Sequence, residues 1–195
     1  MSWTLHALDG DSTLLTVNNR LAAELRRRYD DSQAAAGRRV WPSADILPWG
    51  AWLRRHYARL FDAGFTERDL LDTTQERLLW QEVIERDNAA GQLLRPAAAA
   101  ESARGAYALL HDWRLARYPL ATLGGEETAT FLRWQVAFDA ALEARGLLSA
   151  AHLPALILVA FEQHALEAPS RLVHSGFDSL SPAQQSLFEH MADIG

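Results

Sequence analysis

The chain has 195 residues, of which 49% are hydrophobic and 23% are charged, a composition typical of a folded protein rather than a disordered segment. It contains no cysteine, which excludes disulfide bonds and thiolate metal ligands. All 19 basic residues are arginine, so no lysine is present to bind phosphate in a P-loop or to assist metal-bound acids in a nuclease core.

The charge is distributed unevenly along the chain. The formal net charge is −6, which argues against a surface dominated by nucleic-acid binding. Residues 1–60 nevertheless hold nine arginines and six acidic residues, a balance of +3, whereas the remainder holds ten arginines and nineteen acidic residues, a balance of −9. Any contact with phosphate is therefore expected in the first third of the chain.

The first third alternates between short extended segments and helices. Strands are predicted at residues 3–8 and 13–19, and an amphipathic helix follows from Arg20. A further extended segment, 39–49, is interrupted by two prolines and leads into a helix that is predicted to end at Gly64.

From about residue 66 to residue 168 the pattern is helical almost throughout. Thr73 and Glu76 have the spacing of a capping box and predict the start of a helix over residues 73–87. Further helices are predicted over residues 95–118, 126–146 and 153–168. Five large residues fall on the apolar faces of these helices and are predicted to be buried: Trp80, Leu109, Leu110, Trp113 and Trp134.

The end of the chain returns to a strand and a closing helix. The segment RLVHSGF, residues 171–177, is predicted to be a strand, and Ser181 followed by Pro182 has the residue types of a helix start. Few strands separated by a long helical block predict an α/β fold with a small parallel sheet and a large, mainly helical insertion. The predicted α/β core comprises residues 1–65 and 166–195, and the insertion comprises residues 66–165.

The turn after this last strand has an unusual composition. A strand that runs into such a turn is where nucleotide hydrolases hold magnesium with paired acids. Here the turn offers His174, Ser175, Gly176 and Phe177, and its single carboxylate, Asp178, comes late. Ser175 and Gly176 stand in place of the paired acids, or His174 and Ser175 if the turn is shifted by one. Serine and glycine supply neither the charge nor the pair of hard oxygen ligands that the cation needs.

The order of these segments resembles that of superfamily-one helicases. TLLTVNNRLAAELRRRY (13–29) resembles their motif Ia, a strand ending in Thr-x-Asn before a helix. ADILPWGAWLRRHYARL (44–60) resembles the strand and helix that carry motif Ib, and LVHSGFDSLSPAQQSLFEHMA (172–192) stands where these enzymes have Asp-Glu-x-x-Asp and a Pro-x-Gln-like helix start. The likeness covers nearly the whole chain, and the order of the motifs carries it.

The departures from the helicase pattern narrow the resemblance. With no Walker A loop, and with Ser175, Gly176 and Asp178 forming a degenerate Walker B motif, the chain resembles the B-type subunits of AddAB-like exonucleases and related DNA-repair proteins with a RecB-type nuclease domain. The resemblance implies a sheet of P-loop-helicase type and a non-catalytic, DNA-guiding role in bacterial double-strand-break processing. We expect a fragment of a longer protein, whose PD-(D/E)xK nuclease would lie in cis outside these residues or in a helicase–nuclease subunit in trans.

Eight residues are predicted to contact DNA, which is expected to be single-stranded. The first three lie at a strand end and helix N-terminus, where free N–H groups favour phosphate. The other arginines could form a basic track, and the two tryptophans could stack on bases. These candidates are Asn18, Asn19, Arg20, Arg26, Arg27, Trp49, Trp52 and Arg54. The alternative interpretations are a turn capped by asparagine, a solvated helix face and tryptophans packed in a core.

The sequence also bears on metal binding, catalysis, protein binding and cellular location. The histidines lack metal-site spacing, and we expect no metal, no cofactor and no catalytic residue in this chain. A protein–protein scaffold without DNA contact is the alternative function, and an exposed apolar patch on the insertion would favour it. The N-terminus has no basic leader or long apolar stretch, so we expect a cytoplasmic protein without a membrane partner.

Overall fold

The computed structural model describes residues 11–87, 95–115 and 124–194. The described part falls into two compact units, one formed by 11–62, 157–180 and 186–194, the other by the remaining residues of 63–156 together with 181–185. The sequence places the corresponding boundaries after residues 65 and 165. The strand predicted at 3–8 lies outside the described residues.

The first unit is built on a three-stranded parallel sheet. Its strands are β1 (Ser12–Thr16), β2 (Asp45–Pro48) and β5 (Arg171–Ser175), arranged in the order β2-β1-β5. Every residue of the central strand β1 is buried, as expected for a parallel strand covered on both faces. The predicted mixed α/β class with a small parallel sheet is therefore confirmed.

Two helices follow the first two strands of this sheet. They are α1 (Asn19–Ala35) and α2 (Trp49–Asp62). The helical periodicity of α1 turns Ala22, Leu25 and Tyr29 inward, where they form a core cluster with Leu14 of β1 and Ile46 of β2. These contacts tie consecutive strand–helix segments of the sequence into one layer.

The second unit is mainly helical. It contains α3 (Thr73–Asp87), α4 (Pro96–Asp112) and α5 (Glu126–Ala144), with the two-residue strands β3 (Asp69–Leu70) and β4 (Leu147–Leu148) paired in parallel and a 3₁₀ turn at Ala150–His152. The helices α6 (Leu153–Glu162) and α7 (Pro182–Ile194) each contribute residues to both units.

Aromatic stacking organises the core of the helical unit. The ring of Trp80 on α3 lies parallel to that of Phe138 on α5, with centroids 3.9 Å apart, and Tyr107 on α4 approaches both rings edge-on. The burial predicted for Trp80 is confirmed. Trp134 is only partly buried.

The prediction of burial is wrong for Leu109 and Trp113. Their side chains are 56% and 47% exposed. Leu110, one position away, is the residue of this turn that enters the core. Trp113 lies beyond the last turn of α4, at its C-cap, so helical periodicity no longer decides which way it points.

The two predicted helix starts differ in outcome. At α7 the Ser181 hydroxyl accepts from the N–H of Gln184, and the Gln184 side chain accepts from the N–H of Ser181, so the predicted cap is confirmed. At α3 the predicted Thr73–Glu76 box is wrong by one residue. The cap is Asp72, whose carboxylate accepts from the N–H groups of Thr74 and Gln75.

The displaced Glu76 has a different role. It is 5% exposed, and its Oε1 accepts a 2.5 Å hydrogen bond from the hydroxyl of Ser149, which is fully buried. A buried carboxylate is costly unless its oxygens have hydrogen-bond donors. The pair therefore joins the start of α3 to the turn before α6.

No helix within 11–87, 95–115 or 124–194 is long and apolar enough to cross a membrane.

We expect Ser149→Ala to lower the free energy of unfolding by about 1–3 kcal/mol, because it leaves a carboxylate oxygen of Glu76 buried without its donor. Urea denaturation at pH 7 measures the change. The exposed Ser102 on α4 provides the matched control, and Ser102→Ala is expected to change stability by less than about 0.5 kcal/mol. Equal effects of the two substitutions would contradict a stabilising role of the buried pair.

Candidate nucleic-acid interface

The three parallel strands end at a common edge of the sheet. Thr16 of β1 lies opposite both Pro48 of β2 and Ser175 of β5. In open parallel sheets, ligands bind beyond the carboxyl ends of the strands, where the following loops and helix N-termini gather. The segments that follow these strand ends contain Asn18, Trp49 and Gly176, so the structure brings candidates from three distant parts of the sequence to one edge.

Asn18 caps helix α1. Its side-chain oxygen accepts a 2.9 Å hydrogen bond from the N–H of Leu21, and its carbonyl accepts from the Thr16 hydroxyl at 3.0 Å. The capped-turn interpretation of Asn18 is therefore confirmed. Asn19 and Arg20, the first residues of α1, are exposed, and the first turn of this helix contains no acidic residue.

Gly176 is in tight contact with the segment after β1. Its φ of +81° lies in the left-handed region, which favours glycine. A Cβ atom at this position would lie 2.5 Å from Cδ2 of Leu21 and 3.1 Å from Cγ1 of Val17. The left-handed φ disfavours residues other than glycine, and an added Cβ atom would require the Leu21 side chain to move and Val17 to shift by a few tenths of an ångström.

The other two residues predicted to form a degenerate Walker B motif differ in exposure. Ser175 is half-buried and Asp178 is exposed. Among the described residues, no group of three or more histidine, aspartate or glutamate side chains could hold a metal ion. In this unit the turn after β5 is a packing element beside α1.

The arginine candidates are spread along the helices. Arg26 lies seven residues beyond Asn19, which places it roughly 10 Å further along α1, away from the sheet edge. Arg27 is paired with both Glu24 and Asp31, at 3.0 and 2.8 Å. Arg54 lies on the exposed side of α2, five residues after Trp49. Only Arg20 of the four lies at the edge itself.

The two tryptophan candidates have different environments. Trp52 has no exposed surface, since its ring packs against His56 and Phe161 with centroids 4.1 and 6.3 Å away. Its predicted role in base stacking is wrong, because a base would have to displace core residues to reach it. Trp49 is partly exposed, stacked on Trp52 at 5.5 Å and edge-on to Phe188 at 5.4 Å.

Sequence reasoning missed a polar pocket of about 550 Å³ at the opposite, amino edge of the sheet. Arg55 donates two hydrogen bonds to Asp45, at 2.6 and 2.8 Å, and the Thr13 hydroxyl donates a third at 2.7 Å. Burial raises the pKa of Asp45, but these hydrogen bonds outweigh burial and hold the pKa below its usual range. The sequence contains no motif for this pocket, because its three hydrogen-bonded residues lie on β1, β2 and α2.

His56 lines the same pocket and is neutral. It is 3% exposed, and its Nδ1 donates to the carbonyl of Trp52 at 2.9 Å. Burial lowers its pKa to about 4. In the helical unit, burial likewise lowers the pKa of His152 to about 4, beside the hydroxyl of Tyr107, which lies 2.8 Å from Nε2. Neither environment was evident from histidine spacing.

No protein-family model matches the chain, and no curated protein matches it.

We expect Gly176→Ala to be more destabilising than Gly37→Ala. Gly37 has a φ of +76°, and a Cβ atom added there would meet nothing within 4 Å, so its substitution adds only backbone strain, about 1 kcal/mol. At Gly176 the contacts with Leu21 and Val17 add about 1–2 kcal/mol more. Urea denaturation compares the two variants, and equal losses would contradict the close packing of the β5 turn on α1.

We expect stability to fall as the pH is lowered from about 6.5 towards 4. A histidine with a folded-state pKa of about 4 stays neutral in the folded protein while the unfolded chain, with its value of 6.5, takes up a proton. The stabilising contribution is complete above pH 6.5, and each histidine removes about 2 kcal/mol by pH 5.

Denaturation curves at pH 7, 6 and 5 measure this slope. His56→Gln and His152→Gln are each expected to flatten it, whatever their effect on stability at pH 7. A slope that neither variant changes would contradict the assignment.

Proposed function

We propose that this chain is a non-catalytic, helicase-like domain that guides DNA, as a single strand, within a bacterial DNA-repair exonuclease. The sheet would be a degenerate relative of the P-loop-helicase type. The nuclease would be supplied in cis or by a helicase–nuclease subunit in trans. In this proposal the domain binds and positions the DNA and does not itself hydrolyse ATP.

The observation that carries the proposal is the arrangement at the carboxyl edge of the sheet. The exposed start of α1, with Asn19 and Arg20 and no acid in its first turn, lies at the edge where parallel sheets bind ligands. Backbone N–H groups at a helix start favour the negative charge of phosphate. At the same edge Gly176 occupies the position where a motor enzyme would need acids to hold magnesium.

Of the two tryptophan candidates, only Trp49 is exposed enough to contribute to this surface. Trp49 follows β2 at the same edge and retains exposed surface, so it remains the stacking candidate. Arg26 and Arg54 are exposed and form no ion pair within the described parts of the chain, so they could extend phosphate contact along α1 and α2. A scaffold that binds only protein is the alternative function.

We expect Arg20→Ala to weaken binding of a thymidine oligonucleotide by about three- to tenfold and to reduce the salt dependence of log K by about 0.7, the value for one phosphate contact on a single strand. Fluorescence anisotropy between 50 and 200 mM salt measures both quantities. Arg28→Ala is the matched control, because Arg28 is exposed on the same helix but paired with Glu24. It removes the same net charge.

Equal losses in the two variants would indicate a diffuse field rather than a contact at the start of α1. Absence of measurable binding by the parent chain at low salt, or magnesium-dependent ATP hydrolysis by it, would overturn the proposed function.

A further inference from the structure

The helical unit has an open apolar groove between α4 and α5. Its volume is about 460 Å³. The α4 side is formed by small side chains, Ala99, Ala103 and Ala106, and the α5 side by the rings of Phe131 and Trp134. Small residues on one wall allow the backbone of an approaching helix to come close, while the aromatic rings offer a large contact surface.

The apolar surface continues beyond the groove along α4. Leu109 is three residues after Ala106, a spacing that keeps both on one side of the helix, and Trp113 follows at the C-cap of α4. The exposed fractions of Leu109 and Trp113 are 56% and 47%. From Ala99 to Trp113 the strip spans roughly 21 Å, about four helical turns. Leu109 and Trp113 carry most of the exposed apolar surface of this strip, because Ala99 and Ala106 are partly buried and Ala103 is buried.

The rim of the groove is acidic. Glu126 and Glu127, in the first turn of α5, line it and are exposed. Neighbouring charges are already neutralised, since Arg104 pairs with Glu101 at 2.6 Å and Arg133 with Asp87 at 3.5 Å. Within the described residues Glu126 and Glu127 form no ion pair, so this end of the groove presents two carboxylates without a side-chain cation beside them.

We propose that the α4–α5 groove docks an amphipathic helix of a partner protein, with leucine-like residues on one face and a basic residue placed to reach Glu126 and Glu127. A helix fits the length of the strip and the paired-helix shape of the groove, and its apolar residues at i, i+4, i+7 and i+11 would cover Ala99 through Trp113. The acidic rim selects basic helices over acidic ones. This inference does not depend on DNA binding by the other unit.

The test uses three synthetic helical peptides of about 18 residues. The first has leucines at i, i+4, i+7 and i+11 and lysines beside the first leucine; the second replaces the lysines with glutamate, and the third replaces the leucines with serine. Fluorescence anisotropy against the whole chain is expected to give at least tenfold tighter binding for the first peptide than for either of the others. Similar affinities for all three would overturn the proposal.

Variants of the chain locate the binding surface. Ser102→Tyr places a bulky ring in the groove from an exposed position, and it is expected to weaken binding of the lysine peptide at least tenfold. Ala97→Tyr makes a comparable change nine residues from Ala106, on the opposite side of α4, and is expected to leave binding unchanged. Equal effects of the two tyrosines would overturn the location.

Charge reversal tests the acidic rim. The double variant Glu126→Arg/Glu127→Arg is expected to lose at least tenfold in affinity for the lysine peptide and to gain affinity for the glutamate peptide, a reversal that misfolding would not produce. Sedimentation of the parent chain and of Ser102→Tyr addresses a second copy as occupant. A dimer that Ser102→Tyr dissociates would replace the partner helix and overturn the proposal.

Discussion

The parallel register of β1 against β5 determines what the carboxyl edge of the sheet can hold. It places the turn after Ser175 beside the first turn of α1, where a Cβ atom on Gly176 would lie 2.5 Å from Cδ2 of Leu21 and 3.1 Å from Cγ1 of Val17. Two elements separated by more than a hundred and fifty residues are thereby locked through a backbone contact. A side chain in this turn would therefore require the Leu21 side chain to repack and would add the strain of a left-handed backbone.

The two units carry different kinds of surface. The sheet unit has exposed polar and basic residues at one edge and, at the other, the Asp45–Arg55–Thr13 network that joins β1, β2 and α2. The helical unit is stabilised by stacked rings and by a buried carboxylate–hydroxyl pair, and it exposes an apolar strip. The proposed contact with DNA and the proposed docking of a helix therefore rest on separate residues, and either can fail alone.

Local rules of sequence predicted the elements better than the directions of side chains. The alternation of strands and helices, the stop near Gly64 and the cap at Ser181 depend on neighbouring residues, which a sequence contains directly. Trp49 and Trp52 carry the same side chain three positions apart. Only Trp52 is fully buried, because it packs against Phe161, which is distant in the sequence. The cap of α3 is one residue earlier than predicted because Asp72 and Gln75 form the reciprocal box, while Glu76 bonds Ser149, which is far along the chain.

The hydrogen bond within the first turn of α1 limits what recognition at this edge could achieve. The amide oxygen of Asn18 is already engaged by the N–H of Leu21, so this oxygen serves the cap of its own helix rather than a base. What the turn leaves available is main-chain N–H groups and a flexible guanidinium, which respond to the spacing of backbone charges. Under the proposed function, a single strand bound here would be held through its phosphates and not through its base sequence.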